Sequence, residues 1–215
     1  MIGLMKLLPA AIRQALRRAR TRYAGLRRSR AEVLRGFERL YDTPDPWKMA
    51  SEKEQFRFAR TNEILARELI GPAGQVDTLL EIGCGEGHQS EYLSKLCRHL
   101  TGLDIIASAI ERARVRVAGV DWVLGNLEDQ PWVPGRKFDI VTACEVLYAF
   151  ADIPKTLQLM SQLGTACLVT YFAGAAHAVE GPLRAISLEG RESFVFEDVT
   201  WTAVWWRSKS GGRDV

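Results

Sequence analysis

The 215-residue sequence contains little cysteine and no long apolar run. Its four cysteines, at positions 84, 97, 144 and 167, include no Cys-x-x-Cys pair and lie near no histidine cluster. This pattern favours reduced thiols over disulfides or a zinc site. No apolar run approaches the roughly eighteen residues of a membrane span, and we expect no signal peptide. These absences predict a cytoplasmic protein that buries a core without cross-links.

Positive charge is concentrated at the start of the chain. Residues 1–40 contain eleven Lys or Arg and two Glu, a balance of +9, so the rest carries −6 against the overall +3. Global basicity would favour a nucleic-acid partner, but here it belongs to an extension. We therefore divide the chain into a basic amphipathic helical extension at 1–40, a catalytic body at 41–208 and a flexible tail at 209–215.

The extension carries an apolar residue at every fourth position, which predicts an amphipathic helix beginning near Pro9: Leu4, Leu8, Ile12 and Leu16. Three interpretations are open for residues 4–24. They contact an anionic membrane surface or a protein partner, dock on the body as an extra helix, or form a solvated or targeting tail. The first would place a cytoplasmic protein at the periphery of a membrane. A second helix is predicted over 30–40.

Strands and helices alternate from residue 77 onward. Strands are predicted at 77–82, 99–104, 120–124, 137–143 and 165–172, and helices at 86–97, 107–118 and 152–163. A helix at 51–69 precedes them, and two β-rich runs at 194–197 and 200–207 close the chain. This order predicts an α/β fold with a doubly wound, mostly parallel sheet, helices on both faces, and ligands at the carboxyl ends of the strands.

The most informative motif is the glycine-rich loop after the first of these strands, Glu81-Ile82-Gly83-Cys84-Gly85-Glu86-Gly87. Glycines at alternate positions let the polar atoms of a ligand approach bare backbone. A dinucleotide fingerprint would place its third glycine at position 88, where this chain has histidine. The spacing therefore favours another nucleoside-like ligand. The alternative is that these glycines serve only tight packing.

The pattern Glu-x-Gly-x-Gly-x-Gly resembles the first motif of class I S-adenosylmethionine-dependent methyltransferases. The resemblance implies S-adenosylmethionine as cofactor, S-adenosylhomocysteine as product, and cofactor contacts from Glu81, Gly83, Cys84, Gly85 and Gly87. It also implies a seven-stranded Rossmann-like sheet whose final strand is antiparallel. That strand would bury the tryptophans at 201, 205 and 206 on its two faces.

Later strand ends supply further candidate cofactor residues. Asp104 follows the glycines by about twenty positions, where an acid accepts hydrogen bonds from ribose hydroxyls, and Ile105 would be an apolar wall for adenine. Asn126 stands where the family often has Asp, and its amide oxygen can still accept from the adenine amine, with Leu127 beside it.

The two cysteines near the loop have two interpretations. Cys84 and Cys144 either line the cofactor pocket or are small buried apolar residues.

Two segments resemble the nodulation-factor N-methyltransferase family. They are Asp45-Pro46-Trp47, followed by a helix with Glu54 and Arg57, and Glu145-Val146-Leu147-Tyr148. The resemblance extends over roughly 41–172 and implies that an amine on an amino-sugar oligomer is methylated. It also implies that Trp47 is a lid over the cofactor and that Arg57 grips the methionine carboxylate. The alternatives are a packing residue at the domain edge for Trp47 and a solvated helix face for Arg57.

Three side chains are candidates for the chemistry of transfer. An amine acceptor needs only to be deprotonated, whereas a hydroxyl usually needs a base. Glu145 and Tyr148 lie where the acceptor should approach, and His177 follows the fifth strand. Glu145 could instead hold the cofactor ribose or a backbone amide, and His177 could be solvated.

The sequence therefore predicts a methyltransferase acting on a small-molecule or saccharide acceptor, with an amine preferred over a hydroxyl. The alternatives are a non-catalytic methyltransferase-like scaffold or binding protein and an O-methyltransferase of natural-product or polysaccharide biosynthesis. No Asn-Pro-Pro-Tyr-type motif follows the fourth strand, which argues against nucleic acid as the acceptor. No pair of His and Asp has metal spacing, so no metal is expected.

Overall fold

The computed structural model describes residues 30–131 and 135–208. Six α-helices lie within these ranges: α1 Arg30–Leu40, α2 Glu52–Ile64, α3 Ser90–Leu93, α4 Ala107–Arg116, α5 Ile153–Leu163 and α6 Ala176–Leu183. Seven strands accompany them: β1 Val76–Ile82, β2 Cys97–Asp104, β3 Asp121–Leu124, β4 Phe138–Cys144, β5 Gly164–Phe172, β6 Gly190–Phe196 and β7 Val199–Arg207. The elements expected at 4–24 and 209–215 lie outside the described residues.

The strands form one sheet in the order β3-β2-β1-β4-β5-β7-β6. The first five strands are parallel, and β7 inserts antiparallel between β5 and β6. The predicted seven-stranded, mostly parallel sheet with an antiparallel final strand is therefore confirmed. Strand order reverses between β1 and β4, and ligands of doubly wound folds bind at the carboxyl ends of the strands at such a point.

Each face of the sheet has its own core. Alternate residues of one strand point to opposite faces, so Leu79 and Leu80 of β1 belong to different apolar clusters, as do Trp205 and Trp206 of β7. The predicted burial of all three β7 tryptophans is confirmed, because each is at most 6% exposed. Long apolar strands covered on both sides are typical of a central parallel sheet.

Local sequence explains how α5 begins and ends. Asp152 caps the helix by accepting the backbone N–H of Lys155 at 3.0 Å, and Pro154 lies in the first turn. The helix ends at Leu163, and Gly164 begins β5. Both predicted boundaries are confirmed.

The helix expected at 86–97 is much shorter than predicted. Gly87 has a φ of 79°, which lies outside helical conformation, and Cys97 already pairs with Val76 as the first residue of β2. Only Ser90–Leu93 is left for α3. The helix expected at 51–69 is confirmed, with its last turn, Leu65–Ile70, in π-helical form.

Two features near the end of the chain were not predicted from the sequence. Helix α6 contains Gly181 and Pro182, which read as helix breakers, yet it forms because Val179 and Leu183 are buried against the core. Strand β6 begins at Gly190 rather than residue 194, with polar side chains suited to a strand paired on one side only.

Helix α1 lies against the body of the protein. Its partly buried Leu34 and Phe37 pack on a cluster formed by Tyr41, Ile106 and Ala109. The domain boundary placed at residue 40 stays a prediction. Among the described residues, no helix has both the length and the apolar character that crossing a membrane requires.

Candidate active site

The glycine-rich loop connects β1 to the turn before α3 and is held in a conformation that favours glycine. Gly83 has a φ of 75° and Gly85 a φ of 53°. A Cβ at Gly83 would lie 2.5 Å from Cγ2 of Val146, which follows β4. The loop therefore lies directly against the segment after β4, at the point where the strand order reverses.

Asp104 ends β2 and is hydrogen-bonded to this loop. Its Oδ2 accepts the N–H of Gly85 at 2.8 Å, and its Oδ1 accepts the N–H of Ile106 at 3.0 Å. Burial raises the pKa of Asp104, and the backbone N–H donors oppose that rise. The structure thus brings together the acid and the glycine that sequence spacing assigned to one site.

Glu81 supports the loop from below. The carboxylate is 2% exposed and accepts the Ser90 hydroxyl. Burial raises its pKa to about 8, and the nearby Asp104 charge adds to the rise. This predicted cofactor residue therefore joins the end of β1 to the start of α3 through its side chain.

An aromatic pair covers the glycine loop. The indole Nε1 of Trp47 donates to the hydroxyl of Tyr41 at 3.1 Å, and this hydroxyl lies 3.1 Å from where a Cβ at Gly85 would be. Trp47 and Ile105 pack on the apolar cluster that contains Tyr41. The structure gives Trp47 this place beside the loop and adds Tyr41, which sequence reasoning missed. Its only sequence signal is an aromatic residue shortly before Asp45-Pro46-Trp47.

Arg57 of α2 is buried, so the solvated-face interpretation is wrong. Its side chain is 2% exposed, its Nε donates to Glu54 at 2.7 Å, and one terminal nitrogen donates to Gln89 at 3.0 Å. Burial alone would lower the pKa of Arg57, but the charges of Glu54 and then Glu145 raise it. A permanently charged guanidinium therefore lies between α2 and the turn before α3. Gln89 was missed because its partner is 32 residues away in the sequence.

Glu145 lies just after β4 in an unusual backbone conformation. Its φ is 56°, and its N–H donates to the carbonyl of Thr170 at 3.0 Å. One carboxylate oxygen, Oε2, accepts the N–H of Phe172 at 3.1 Å and lies 3.5 Å from the Tyr148 hydroxyl. The other, Oε1, is buried and makes no hydrogen bond within 3.5 Å among the described residues, although the Thr170 hydroxyl is near enough to lower the pKa of this carboxyl.

The electrostatics of Glu145 differ from those of a surface carboxylate. Burial raises its pKa to about 7, against the opposing charge of Arg57. Burial, reinforced by the Glu145 charge, also raises the pKa of Tyr148. The Tyr148 ring meets Phe172 edge to face, with centroids 5.6 Å apart. Near neutral pH, Glu145 can therefore exchange a proton while Tyr148 keeps its own.

His177 is not joined to this pair by a described contact. It is exposed on the first turn of α6, with Nδ1 3.0 Å from the carbonyl oxygen of Gly174.

The remaining candidate residues follow β3 and flank the loop. Asn126 donates to Asp129 at 3.1 Å, so its amide oxygen is left to accept, and Leu127 is buried. Cys84 and Cys144 are free thiols. Burial raises the pKa of both, that of Cys144 to about 12, so both stay protonated.

Comparison with known families shows to which family this chain belongs. The family model "Nodulation protein S (NodS)" matches residues 29–166. The chain belongs to the nodulation protein S family. Nodulation protein S of Bradyrhizobium diazoefficiens is 33% identical over 120 residues, 54% of each chain. That of Rhizobium tropici is 29% identical over 143 residues, 65% of this chain and 56% of that protein. The chain thus spans about half the length of these curated relatives.

Solved structures show the same fold. The N-methyltransferase NodS from Bradyrhizobium japonicum WM9, in complex with S-adenosyl-L-homocysteine, aligns with a TM-score of 0.68 at 21% identity, over 83% of this chain and 99% of that one. Magnesium protoporphyrin IX methyltransferase from Synechocystis PCC 6803, with bound SAM, aligns with a TM-score of 0.62 at 13% identity, over 85% of this chain and 97% of that one. The predicted class I methyltransferase fold and the predicted family are therefore confirmed.

Proposed function

We propose that the protein is an S-adenosylmethionine-dependent methyltransferase. The support is a cradle of bare backbone at Gly83 and Gly85, with the Asp104 carboxylate beside it. In this proposal Asp104 holds the ribose hydroxyls, Arg57 attracts the methionine carboxylate, and Ile105 and Leu127 flank the adenine, with Asn126 accepting from its amine. When bound, this cofactor supplies a methyl group on a positively charged sulfur. Membership of the nodulation protein S family agrees with the assignment.

The environment of the Glu145 carboxylate favours an amine as the methyl acceptor. It is the main support for this part of the proposal. Glu145 has one buried carboxylate oxygen that makes no hydrogen bond within 3.5 Å among the described residues, and its pKa is about 7. Such a group can take a proton from a protonated amine, which leaves the lone pair that transfer requires. An alcohol would have to lose its proton to this base during the transfer itself, whereas an amine that has lost its proton is already a nucleophile.

The side chains around the acceptor divide the remaining work. The Glu145 carboxylate holds the amine through Oε1 and takes up the proton that the amine releases. The Tyr148 hydroxyl, 3.5 Å from the same carboxylate, orients the Glu145 side chain. Holding the reacting groups in line can lower the barrier by about 7–11 kcal/mol.

The acceptor we propose is a small molecule or saccharide that carries a primary or secondary amine. The motifs at Asp45-Pro46-Trp47 and Glu145–Tyr148 resemble enzymes that methylate amino sugars. One relative of known structure is described as an N-methyltransferase.

A transfer assay tests the proposal. Methyl-labelled S-adenosylmethionine is incubated with amino-sugar oligomers, the same oligomers fully N-acetylated, neutral hydroxylated sugars and RNA. We expect label only on the free amines. Label on neutral sugars would replace the proposal with O-methylation, and cofactor binding without transfer to any acceptor would favour a scaffold.

A further inference from the structure

Two potential metal ligands at the glycine loop meet a third from a distant part of the sequence. Asp45, Glu86 and His88 each place one ligand atom within 4.8 Å of the other two. Nε2 of His88 lies 3.7 Å from Oε2 of Glu86 and 3.9 Å from Oδ1 of Asp45. Glu86 and His88 are two positions apart, and the fold brings Asp45 to them from 41 residues before Glu86.

The ring nitrogen of His88 is a second, independent observation that points to a ligand. The side chain is 6% exposed, and its Nε2 is buried with no hydrogen-bond partner among the described residues. Buried polar atoms are normally satisfied, and one that is not has often lost water or an ion. This nitrogen points toward the two carboxylates.

Both carboxylates are already held in place by donors from elsewhere. Glu86 accepts the N–H of Asp45 at 3.1 and 3.0 Å, and Asp45 accepts the backbone N–H groups of Met49 and Ala50. Metal ligands usually have such outer hydrogen bonds, which fix their orientation. The carboxylates would therefore lose little freedom when they bind an ion.

The surroundings give an ion access and net attraction. An open cavity of about 600 Å³ reaches Asp45 and Glu86, and Glu91 and Glu111 also line it. Two cations oppose these four acids: Arg112 donates to Glu86 at 2.8 Å, and Arg116 donates to its carbonyl oxygen at 2.9 Å. The acids outnumber the cations, so a divalent cation would lower the unbalanced negative charge.

We propose that Asp45, Glu86 and His88 form a binding site for Zn²⁺. One imidazole nitrogen and two carboxylate oxygens are ligands that zinc accepts, and three protein ligands leave the fourth position of a tetrahedral site for water. Because Asp45 precedes Trp47 by two residues and Glu86 separates Gly85 from Gly87, the ion would fasten the segment carrying the lid to the glycine loop. We therefore expect Zn²⁺ and S-adenosylhomocysteine to strengthen each other's binding, a step that rests on the proposed function.

Zinc titration without cofactor tests the site alone. The full chain, free of any polyhistidine tag, is titrated with Zn²⁺ against a chromophoric chelator. We expect one equivalent to bind, and His88→Gln and Asp45→Asn each to weaken it at least about tenfold. His99→Gln is the matched control, because His99 is exposed on β2, and it should bind like the wild type. Unchanged binding by His88→Gln, or no binding by the wild type, would overturn the proposal.

Cobalt spectroscopy keeps the test valid if a variant does not fold. Co²⁺ bound to the wild type should show visible ligand-field bands without the intense near-ultraviolet band of a cobalt–thiolate bond. A thiolate band would place the metal on a cysteine and overturn the site. S-adenosylhomocysteine titrated with and without Zn²⁺ then tests the fastening. If S-adenosylhomocysteine does not bind with or without Zn²⁺, the proposed cofactor is contradicted and the zinc result still holds. If it binds equally well in both, Zn²⁺ does not couple the segment before α2 to the cofactor site.

Discussion

The carboxylate of Asp104 accepts the backbone N–H of Gly85 across 19 residues of sequence, at 2.8 Å. This bond holds the end of β2 and the glycine loop next to each other at the point where the strand order reverses. Asp104 therefore stabilises the conformation of the loop, and we expect the same carboxylate to lie beside the ligand of the loop.

Asp104→Ala is expected to weaken the binding of S-adenosylhomocysteine. It removes an acceptor for ribose hydroxyls and a support of Gly85, at about 1.5–3 kcal/mol for charge-assisted bonds. That loss corresponds to about a tenfold to hundredfold rise in Kd, measured by calorimetry. Asp198→Asn, in the exposed turn between β6 and β7, serves as the control. An unchanged Kd for the Ala variant would mean that Asp104 does not contact the cofactor.

Glu145→Gln is expected to lower the rate of amine methylation by about 10²–10⁴-fold. Glutamine can still accept the N–H of Phe172 but cannot take a proton. Cofactor affinity should stay the same. In the wild type, kcat should rise as the pH passes the Glu145 pKa of about 7, and this limb should vanish in the variant. A variant with the rate and pH profile of the wild type would exclude Glu145 from proton transfer.

Glu81 is expected to make the protein less stable as the pH rises. Its pKa is about 8 in the folded chain against an ordinary value of 4.5. Between these values the folded state holds a proton that the unfolded state has released, so the free energy of unfolding falls with increasing pH. Glu81→Gln should therefore gain stability relative to the wild type across this window, as measured by urea denaturation. Glu38→Gln, on the exposed side of α1, should not; an equal trend in both variants would contradict the assignment.

A pair of glycine variants separates backbone strain from steric clash. Gly83 and Gly74 have φ values of 75° and 73°, but only a Cβ at Gly83 meets a neighbour, Cγ2 of Val146 at 2.5 Å. Gly74→Ala should cost about 1–2 kcal/mol of strain. Gly83→Ala should cost that and about 1–3 kcal/mol more for overpacking. Urea denaturation of both proteins measures the difference, and equal losses would mean that the loop can move away from Val146.

The sequence predicted those parts of the site that depend on strand ends. Asp104 and Glu145 follow strands whose apolar runs are visible in the sequence, and parallel strands bring their carboxyl ends to one edge. Tyr41 and His88 could not be found in this way. Asp45 becomes a neighbour of Glu86 and His88 only when the segment before α2 folds over the loop, and the same folding brings the Tyr41 hydroxyl against Gly85.

The same reasoning explains the errors in secondary structure. Helix α6 forms although Gly181-Pro182 disfavours it, because burial of Val179 and Leu183 outweighs local propensity. The helix after the glycine loop was overestimated, since its start is limited by the φ of Gly87 and its end by the pairing of Cys97. Tertiary contacts decide both cases.

Removal of the N-terminal extension in two steps is expected to have two different effects. Deletion of residues 1–40 takes away Leu34 and Phe37, which pack on Tyr41 and Ile106, so it should lower the free energy of unfolding by on the order of 2 kcal/mol. Deletion of residues 1–29 alone keeps these contacts. If the basic amphipathic helix predicted in residues 4–24 contacts a membrane, this shorter deletion should keep its stability and lose association with anionic vesicles, an effect that weakens with salt. Denaturation and vesicle sedimentation of both proteins measure these outcomes. Lost stability after deletion of 1–29, together with a full chain that does not bind vesicles, would instead show that this helix is part of the fold.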